Sequence, residues 1–389
     1  MEELILKYGI NPNQKKASIS HPEQLPIKVL NGKAGYINLL DALNGYQLVK
    51  ELKIATGYPA ATSFKHVSPA GAAIAIPLTD KEKKMYFVSE KTKLSPLATA
   101  YVRARGADRM SSFGDFISLS DVCDVSTAKV ISREVSDGVI APGYEAEALE
   151  ILKAKKKGAY TVIEIDPNYT PDEQDERKVY GITFKQDRND YIPTFEELDN
   201  IKSENKSITK EAKLDLIVAL ISLKYTQSNS VIYAYHGQTI GVGAGQQSRL
   251  HCTRLAGDKA DRWNLRQCDR VLNLPFKKEL TRNEKDNVIE QYLSDEPEID
   301  MCASWQDHFT EEVKPFTKAE KREYLKSIKG ISLASDAFFP FSDNVLRAAA
   351  SGVDYITEPG GSLRDDEVIS TANRLGKVLI FNKTRLFHH

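Results

Sequence analysis

Apolar positions recur at helical spacing through residues 38–52, where Leu40, Leu43, Leu48, Val49 and Leu52 share one face, and the pattern predicts an amphipathic helix. Short apolar runs alternate with further helical patterns behind it. Residues 59–62 read as the end of a strand, residues 96–105, 126–134 and 145–157 as helices, Gly138-Val139-Ile140-Ala141-Pro142-Gly143 as a buried strand closed by a turn, and residues 160–165 as another strand. Alternation of this kind predicts a layered α/β domain. From 166 to 213 the composition shifts to Asp, Glu, Lys, Asn and Pro, which predicts an irregular connection. A second helical pattern over 214–225 opens the other half, followed by a hairpin turning at His236-Gly237. Two capping boxes, Thr281-x-x-Glu284 and Thr317-x-x-Glu320, mark later helix starts. The final third reads strand, helix, strand, helix, strand.

An internal echo links the halves. Ser112-Phe113-Gly114-Asp115-Phe116 followed by Gly138-Val139-Ile140 resembles Asp336-Ala337-Phe338-Phe339-Pro340 followed by Gly352-Val353-Asp354-Tyr355-Ile356, as a duplicated unit would. The chain therefore divides into a first subdomain over 1–175, a connection over 176–212 and a second subdomain over 213–389.

Composition narrows the class. At 389 residues, 41% hydrophobic and 28% charged, the chain fits a globular protein with sizeable cores, and a formal net charge of -1 argues against a nucleic-acid coat and for small anionic substrates. No run approaches the length of a membrane span, and nothing at the N-terminus resembles a signal peptide, so a cytoplasmic location is expected. Cys123, Cys252, Cys268 and Cys302 are scattered without a C-x-x-C pair and read as free thiols.

The stretch Ser63-Phe64-Lys65-His66-Val67-Ser68-Pro69-Ala70-Gly71 carries the candidate chemistry. Pro69 and Gly71 are expected to turn the chain just after Lys65 and His66, presenting two bases at a strand tip. Histidine takes a proton from a weak amine near neutrality, and a neighbouring ammonium stabilises an oxygen becoming negative. Acyl transfer to an amine needs both. An exposed lysine beside a structural histidine is the bland alternative.

This stretch resembles the Lys-His motif of the transformylase that formylates 5-aminoimidazole-4-carboxamide ribonucleotide, AICAR. The strings Lys7-Tyr8-Gly9-Ile10-Asn11-Pro12-Asn13-Gln14, Arg105-Gly106-Ala107-Asp108-Arg109-Met110-Ser111-Ser112-Phe113-Gly114-Asp115, Lys224-Tyr225-Thr226-Gln227-Ser228-Asn229-Ser230, Gly243-Ala244-Gly245-Gln246-Gln247-Ser248-Arg249 and Arg385-Leu386-Phe387-His388-His389 are similar to that family's. The resemblance implies two similar cytidine-deaminase-like α/β/α subdomains. It also implies formyl transfer from 10-formyltetrahydrofolate as co-substrate, and a homodimer with sites at the interface. The usual two-domain enzyme has an IMP cyclohydrolase domain before this region; here that domain is expected to be absent, with a separate cyclohydrolase as a possible partner.

By the same resemblance Lys65 and His66 are the catalytic pair. Asn229 and Arg249 meet the AICAR carboxamide, with Ser248, Phe338, Phe387 and His389 in the same pocket. Lys7, Tyr8, Lys156 and Arg385 are the phosphate candidates, although relatives carry Arg where Lys7 stands, so a bidentate fork becomes a point charge. A solvated helix end is the alternative for the run Lys155-Lys156-Lys157. Met110, Phe113, Gly114, Asp137, Phe341, Asp343 and Asn344 line the folate, whose flat pterin suits aromatic walls and whose N–H edge suits a carboxylate. The resemblance extends to a monovalent cation, potassium, near Ser228, Ser230 and Asp336, without requiring a metal for the chemistry.

Rival classes lack their signatures. Gly241, Gly243 and Gly245 miss the third glycine of a dinucleotide loop, and no P-loop serves an ATP-dependent formyltransferase. Neither half carries the H-x-E and P-C-x-x-C ligands of a zinc deaminase. A catalytically weak sensor of purine precursors keeps the binding residues and remains the alternative.

Overall fold

The structure, a computed structural model, describes residues 1–296 and 305–389. Fifteen strands are found among them: β1 Glu2–Leu6, β2 Ala17–His21, β3 Ile27–Asn31, β4 Ala60–Lys65, β5 Ser68–Ile74, β6 Asp115–Leu119, β7 Ser136–Ala141, β8 Thr161–Ile165, β9 Gln174–Val179, β10 Ile182–Asp187, β11 Val231–Tyr235, β12 Gln238–Gly243, β13 Ile331–Ser335, β14 Val353–Glu358 and β15 Val378–Phe381. Eleven of them form one mixed sheet in the order β15-β14-β13-β11-β12-β5-β4-β6-β7-β8-β3. Its strands are apolar on both faces because both faces are covered. Phe116, Ile140 and Ile163 pack under helices Tyr36–Thr56 and Lys210–Lys224, while Ile117, Val139 and Val162 pack under Pro96–Gly106, Val125–Ile131 and Ala146–Lys153. In the other half Val231, Tyr233 and Leu333 meet Arg249–Leu265, Asp343–Ala350 and Asp365–Arg374.

The order of elements repeats. Tyr36–Thr56, β4, β5, Pro96–Gly106, β6, Val125–Ile131, β7, Ala146–Lys153 and β8 correspond in turn to Lys210–Lys224, β11, β12, Arg249–Leu265, β13, Asp343–Ala350, β14, Asp365–Arg374 and β15. The ladders repeat too: β4 is antiparallel to β5 and β6, with β6, β7 and β8 parallel; β11 is antiparallel to β12 and β13, with β13, β14 and β15 parallel. The halves meet where Gln238 of β12 pairs antiparallel with Ala73 of β5. Equivalent positions therefore lie at opposite ends of the sheet.

Several expectations change. The echo is out of register, since 112–116 leads into β6 whereas 336–340 follows β13, the equivalent strand; only its β7 and β14 portions correspond. The connection after 166 is not irregular throughout. It contains an exposed hairpin of β9 and β10 turning at Tyr180 and Gly181, whose φ angles of 51° and 80° suit a two-residue turn. Of residues 59–62, read as the end of a strand, Pro59 precedes β4 and 60–62 begin it.

The helix expected over 145–157 stops at Lys153, because Lys156 and Lys157 take φ of 51° and 55° as the chain swings into β8. Both capping boxes form, with Thr281 and Thr317 accepting from the N–H groups of Glu284 and Glu320. Cys123 and Cys252 are buried free thiols and Cys268 is half-buried; Cys302 lies outside the described residues.

Candidate functional site

One end of the sheet gathers most of the candidate residues. The β4–β5 hairpin turns there, β6 and β7 start there, β11 starts beside them, and β12, β13, β14 and β15 finish there. The turn is made by His66 and Val67 themselves, at φ of 55° and 57°, and Pro69 and Gly71 lie inside β5. A turn at Pro69 and Gly71 fails for two local reasons. The ladder shifts register between Ser63 and Phe64, opposite Pro69, so the proline without an N–H falls at a bulge. Gly71 is where helix Pro96–Gly106 touches the strand: a Cβ there would sit 2.0 Å from the Ala104 oxygen.

At the tip His66 is exposed and Lys65 half-buried, with the Lys65 ammonium donating to the Phe113 oxygen at 2.5 Å. This ties Lys65 to the Met110–Gly114 turn, where Met110 and Phe113 are exposed and Gly114 takes φ of 75°. Beside it, Lys156 donates to Asp137 at 2.8 Å. The phosphate candidate and the folate candidate are thus paired with each other, at a surface position.

The second cluster surrounds Arg249. Ser248 caps its helix, accepting from the His251 N–H, so its hydroxyl has a structural task. The Arg249 guanidinium donates to the Ser230 oxygen at 2.8 Å, to Asp336 and to Asn229 Oδ1 at 2.9 Å. Asn229 Nδ2 donates to the Gln246 oxygen at 2.8 Å. One N–H and one lone pair of the Asn229 amide remain. Gln227 N–H reaches Ser68 Oγ at 3.3 Å, which sets this cluster against the hairpin tip.

Asp336 is fully buried and engaged on both oxygens, with Ser228 Oγ at 2.6 Å and Ser230 N–H at 2.9 Å completing what Arg249 begins. Ser230 Oγ is buried, and it is the oxygen of these three side chains that has no hydrogen-bond partner. The Arg249 guanidinium is the counter-ion of Asp336. Among the described residues no group of three or more His, Cys, Asp or Glu side chains is placed to hold a metal ion.

The C-terminal tail folds over this cluster. Leu386 N–H donates to the main-chain oxygen of Asp336 at 2.9 Å, and Ser228 and His388 exchange two hydrogen bonds of 3.0 Å. Phe387 and His389 lie against each other with their rings tilted by 60°, 5.7 Å between ring centres, with Arg385 4.7 Å over Phe387. Burial, with His389 and Arg177 beside it, lowers the His388 imidazole below its usual range. A cleft of about 850 Å³ separates this tail from the β9–β10 hairpin, whose Arg177 donates to the His389 oxygen at 3.0 Å.

Phe338, an AICAR candidate, is exposed; of the folate candidates, Phe341 is exposed and Asp343 is half-buried at the start of its helix. Asn344 is buried and spent on packing: Thr253 Oγ1 donates to it at 2.7 Å and it donates to Asp343 at 2.9 Å. Lys7 and Tyr8 lie outside the gathering. They are exposed after β1, 5.8 Å from ammonium to ring centre, and among the described residues no hydrogen bond or ion pair carries them to the tip or the tail.

Two buried carboxyls escaped the sequence reading. Asp41, on helix Tyr36–Thr56, accepts the Val67 N–H at 2.7 Å, and burial pushes it up to about 6 against the pull of that bond and of His66. Glu358, at the end of β14, accepts the Phe339 N–H behind the aromatic loop, with Oε1 unpartnered; burial raises it to about 8. The only signal for Asp41 was a charge on the side of its helix that otherwise carries apolar residues.

The family described as the AICARFT/IMPCHase bienzyme matches residues 1–259. The chain is 32% identical over 390 residues to the bifunctional purine biosynthesis protein PurH of Cereibacter sphaeroides, and 30% identical over 394 residues to that of a Ruegeria species. Each match covers 99% of this chain and 59% of the relative, so the chain spans less than two thirds of their length.

Proposed function

The chain belongs to the AICARFT/IMPCHase bienzyme family, and from that premise we propose that it moves a formyl group from 10-formyltetrahydrofolate to the 5-amino group of AICAR in purine biosynthesis. The amine nitrogen attacks the formyl carbon, and the bond from that carbon to the folate nitrogen breaks. The amine gives up a proton to His66, the folate nitrogen takes one up, and formylated AICAR and tetrahydrofolate leave. Lys65 stabilises the tetrahedral oxygen and assists the proton transfer to the departing nitrogen.

One observation supports this reading above the rest. A His-Lys hairpin tip shares a sheet end with Asn229, whose amide keeps one donor and one acceptor free, the complement of a primary carboxamide. Arg249, itself held by Asp336, orients that amide. Lys156 and Arg385 serve the ribonucleotide phosphate, and the exposed aromatics around Phe341 receive the pterin, with Asp343 for its N–H edge.

The same proposal includes a cytoplasmic location, a homodimer with sites at its interface, and no cyclohydrolase activity within residues 1–389. A separate cyclohydrolase would pull forward a transfer to so weak an amine. Carbon-labelled 10-formyltetrahydrofolate tests the reaction: label is expected on the 5-amino group of AICAR. Tight AICAR binding with no label transferred would favour a precursor sensor instead.

A further inference from the structure

The two halves repeat one detail that the proposed chemistry does not by itself require. In the first half Asp41, 5% exposed on helix Tyr36–Thr56, accepts from the second residue of the His66–Val67 turn at 2.7 Å. In the second half Asp215, 3% exposed on the equivalent helix Lys210–Lys224, accepts from both residues of the His236–Gly237 turn, at 3.1 and 2.7 Å. Each pair consists of a buried helix carboxyl and a left-handed hairpin turn whose first residue is histidine.

The copies differ in the second turn residue. Gly237 takes φ of 75° without strain, whereas Val67 holds φ of 57° with a β-branched side chain. A residue in that region costs on the order of 1–3 kcal/mol and persists only where its surroundings fix it. Asp41 supplies that fixing at the one tip that carries the reacting bases. The strain is kept where the imidazole must point and relieved at the twin turn on the opposite end of the sheet.

We propose that Asp41 is a positioning residue for the formyl transfer, its ionised carboxylate holding the His66–Val67 turn so that the His66 imidazole faces the substrate amine. This role rests on formyl transfer being the reaction. The charged groups that act on Asp41 are His66 on the tip and Asp137 at the start of β7, the latter bound to Lys156. Burial opposes ionisation of Asp41 and places its titration at about 6, within the range of an activity assay.

The test compares wild type, Asp41→Asn and Asp215→Asn by steady-state kinetics across pH and by hydrogen exchange of the two hairpins. Asp41→Asn is expected to lower kcat roughly 10- to 100-fold with KM for AICAR within about twofold, the loss that misorientation of a catalytic group produces. Exchange over 62–72 should quicken. Below about pH 6 the slope of log kcat against pH should be shallower in Asp41→Asn than in wild type by about one proton, the one that Asp41 takes up. Asp215→Asn should quicken exchange over 231–243 and leave kcat and slope as in wild type.

Quicker exchange in Asp41→Asn with wild-type kcat and slope would reduce the contact to packing and overturn the proposal. So would an equal loss of kcat in Asp215→Asn. A wild-type chain that releases no tetrahydrofolate refutes the reaction itself and the positioning role with it; the exchange data do not depend on turnover and separate that failure from the absence of the turn contact.

Discussion

The Lys65 ammonium donates to the main-chain oxygen of Phe113 at 2.5 Å, so the cation beside His66 is tethered to the turn that carries the folate-wall candidates. A tethered ammonium presents its remaining N–H groups in a fixed direction, the requirement for stabilising a charge that appears only in the transition state. Lys65→Met should therefore lower kcat by about 10²–10³. AICAR affinity by calorimetry should stay within about threefold. Loss of binding in proportion to loss of turnover would make Lys65 a ground-state anchor.

Arg249 and Asp336 form a buried pair that also fixes Asn229. Removing one partner leaves a charge stranded in the interior, so Asp336→Asn should destabilise the fold by about 3–5 kcal/mol in urea unfolding. Asn229→Ala breaks the neutral bond to the Gln246 oxygen and the charge-assisted bond from Arg249; it should cost about 2–4 kcal/mol and lower AICAR affinity at least about tenfold. Unchanged AICAR binding in Asn229→Ala would remove that residue from the pocket.

Lys156 and Asp137 pair at the surface, where an ion pair contributes at most about 1 kcal/mol. Lys156→Ala should leave the unfolding midpoint nearly unchanged and raise KM for AICAR, with a smaller effect on the nucleoside that lacks the phosphate. Equal effects on nucleotide and nucleoside would show that Lys156 does not meet the phosphate.

Stability should fall as the solution becomes alkaline. Burial raises Asp215 from 3.8 to about 7, against the N–H groups of Gly237 and His236, and raises Glu358 from 4.5 to about 8. Each holds its proton more tightly folded than unfolded. The contribution is complete below the ordinary carboxyl range and is lost as pH rises through about 7 and 8. Glu82 works the other way: burial is outweighed by His236 and Arg103, which leave it at about 2, so its contribution fades only in acid. Between pH 5 and 8 the Tm should drop by roughly 5 °C or more, and Glu358→Gln should flatten the slope. A Tm that rises over this interval would contradict the buried-carboxyl account.

Much of the fold was legible because its helices and strands have strong local signals. The apolar spacing after Asn38 and the two Thr-Glu capping boxes act within a single turn, and the His236-Gly237 hairpin needed only a glycine between two apolar runs. Register was not legible. Pro69 and Gly71 looked like a turn and proved to be a bulge and a helix contact, because a proline beside a glycine marks irregular backbone without saying which irregularity.

The candidate site divides on the same line. Lys65, His66, Asn229 and Arg249 come together, since strand order alone brings their segments to one end of the sheet. Asn344 and Ser248 are spent on packing and capping, partners that lie three residues away or across a helix and leave no mark in the sequence. Asp41 was hidden because its partner is a main-chain N–H, which every residue but proline has.

Tetrahydrofolate release from AICAR and 10-formyltetrahydrofolate, followed for wild type beside His66→Ala, tests the central claim most directly. Wild-type release that requires both substrates, with a fall on the order of 10³-fold in the variant and AICAR binding retained, is the predicted result. Release that persists undiminished in His66→Ala, or a wild type that binds AICAR and never turns over, would contradict it.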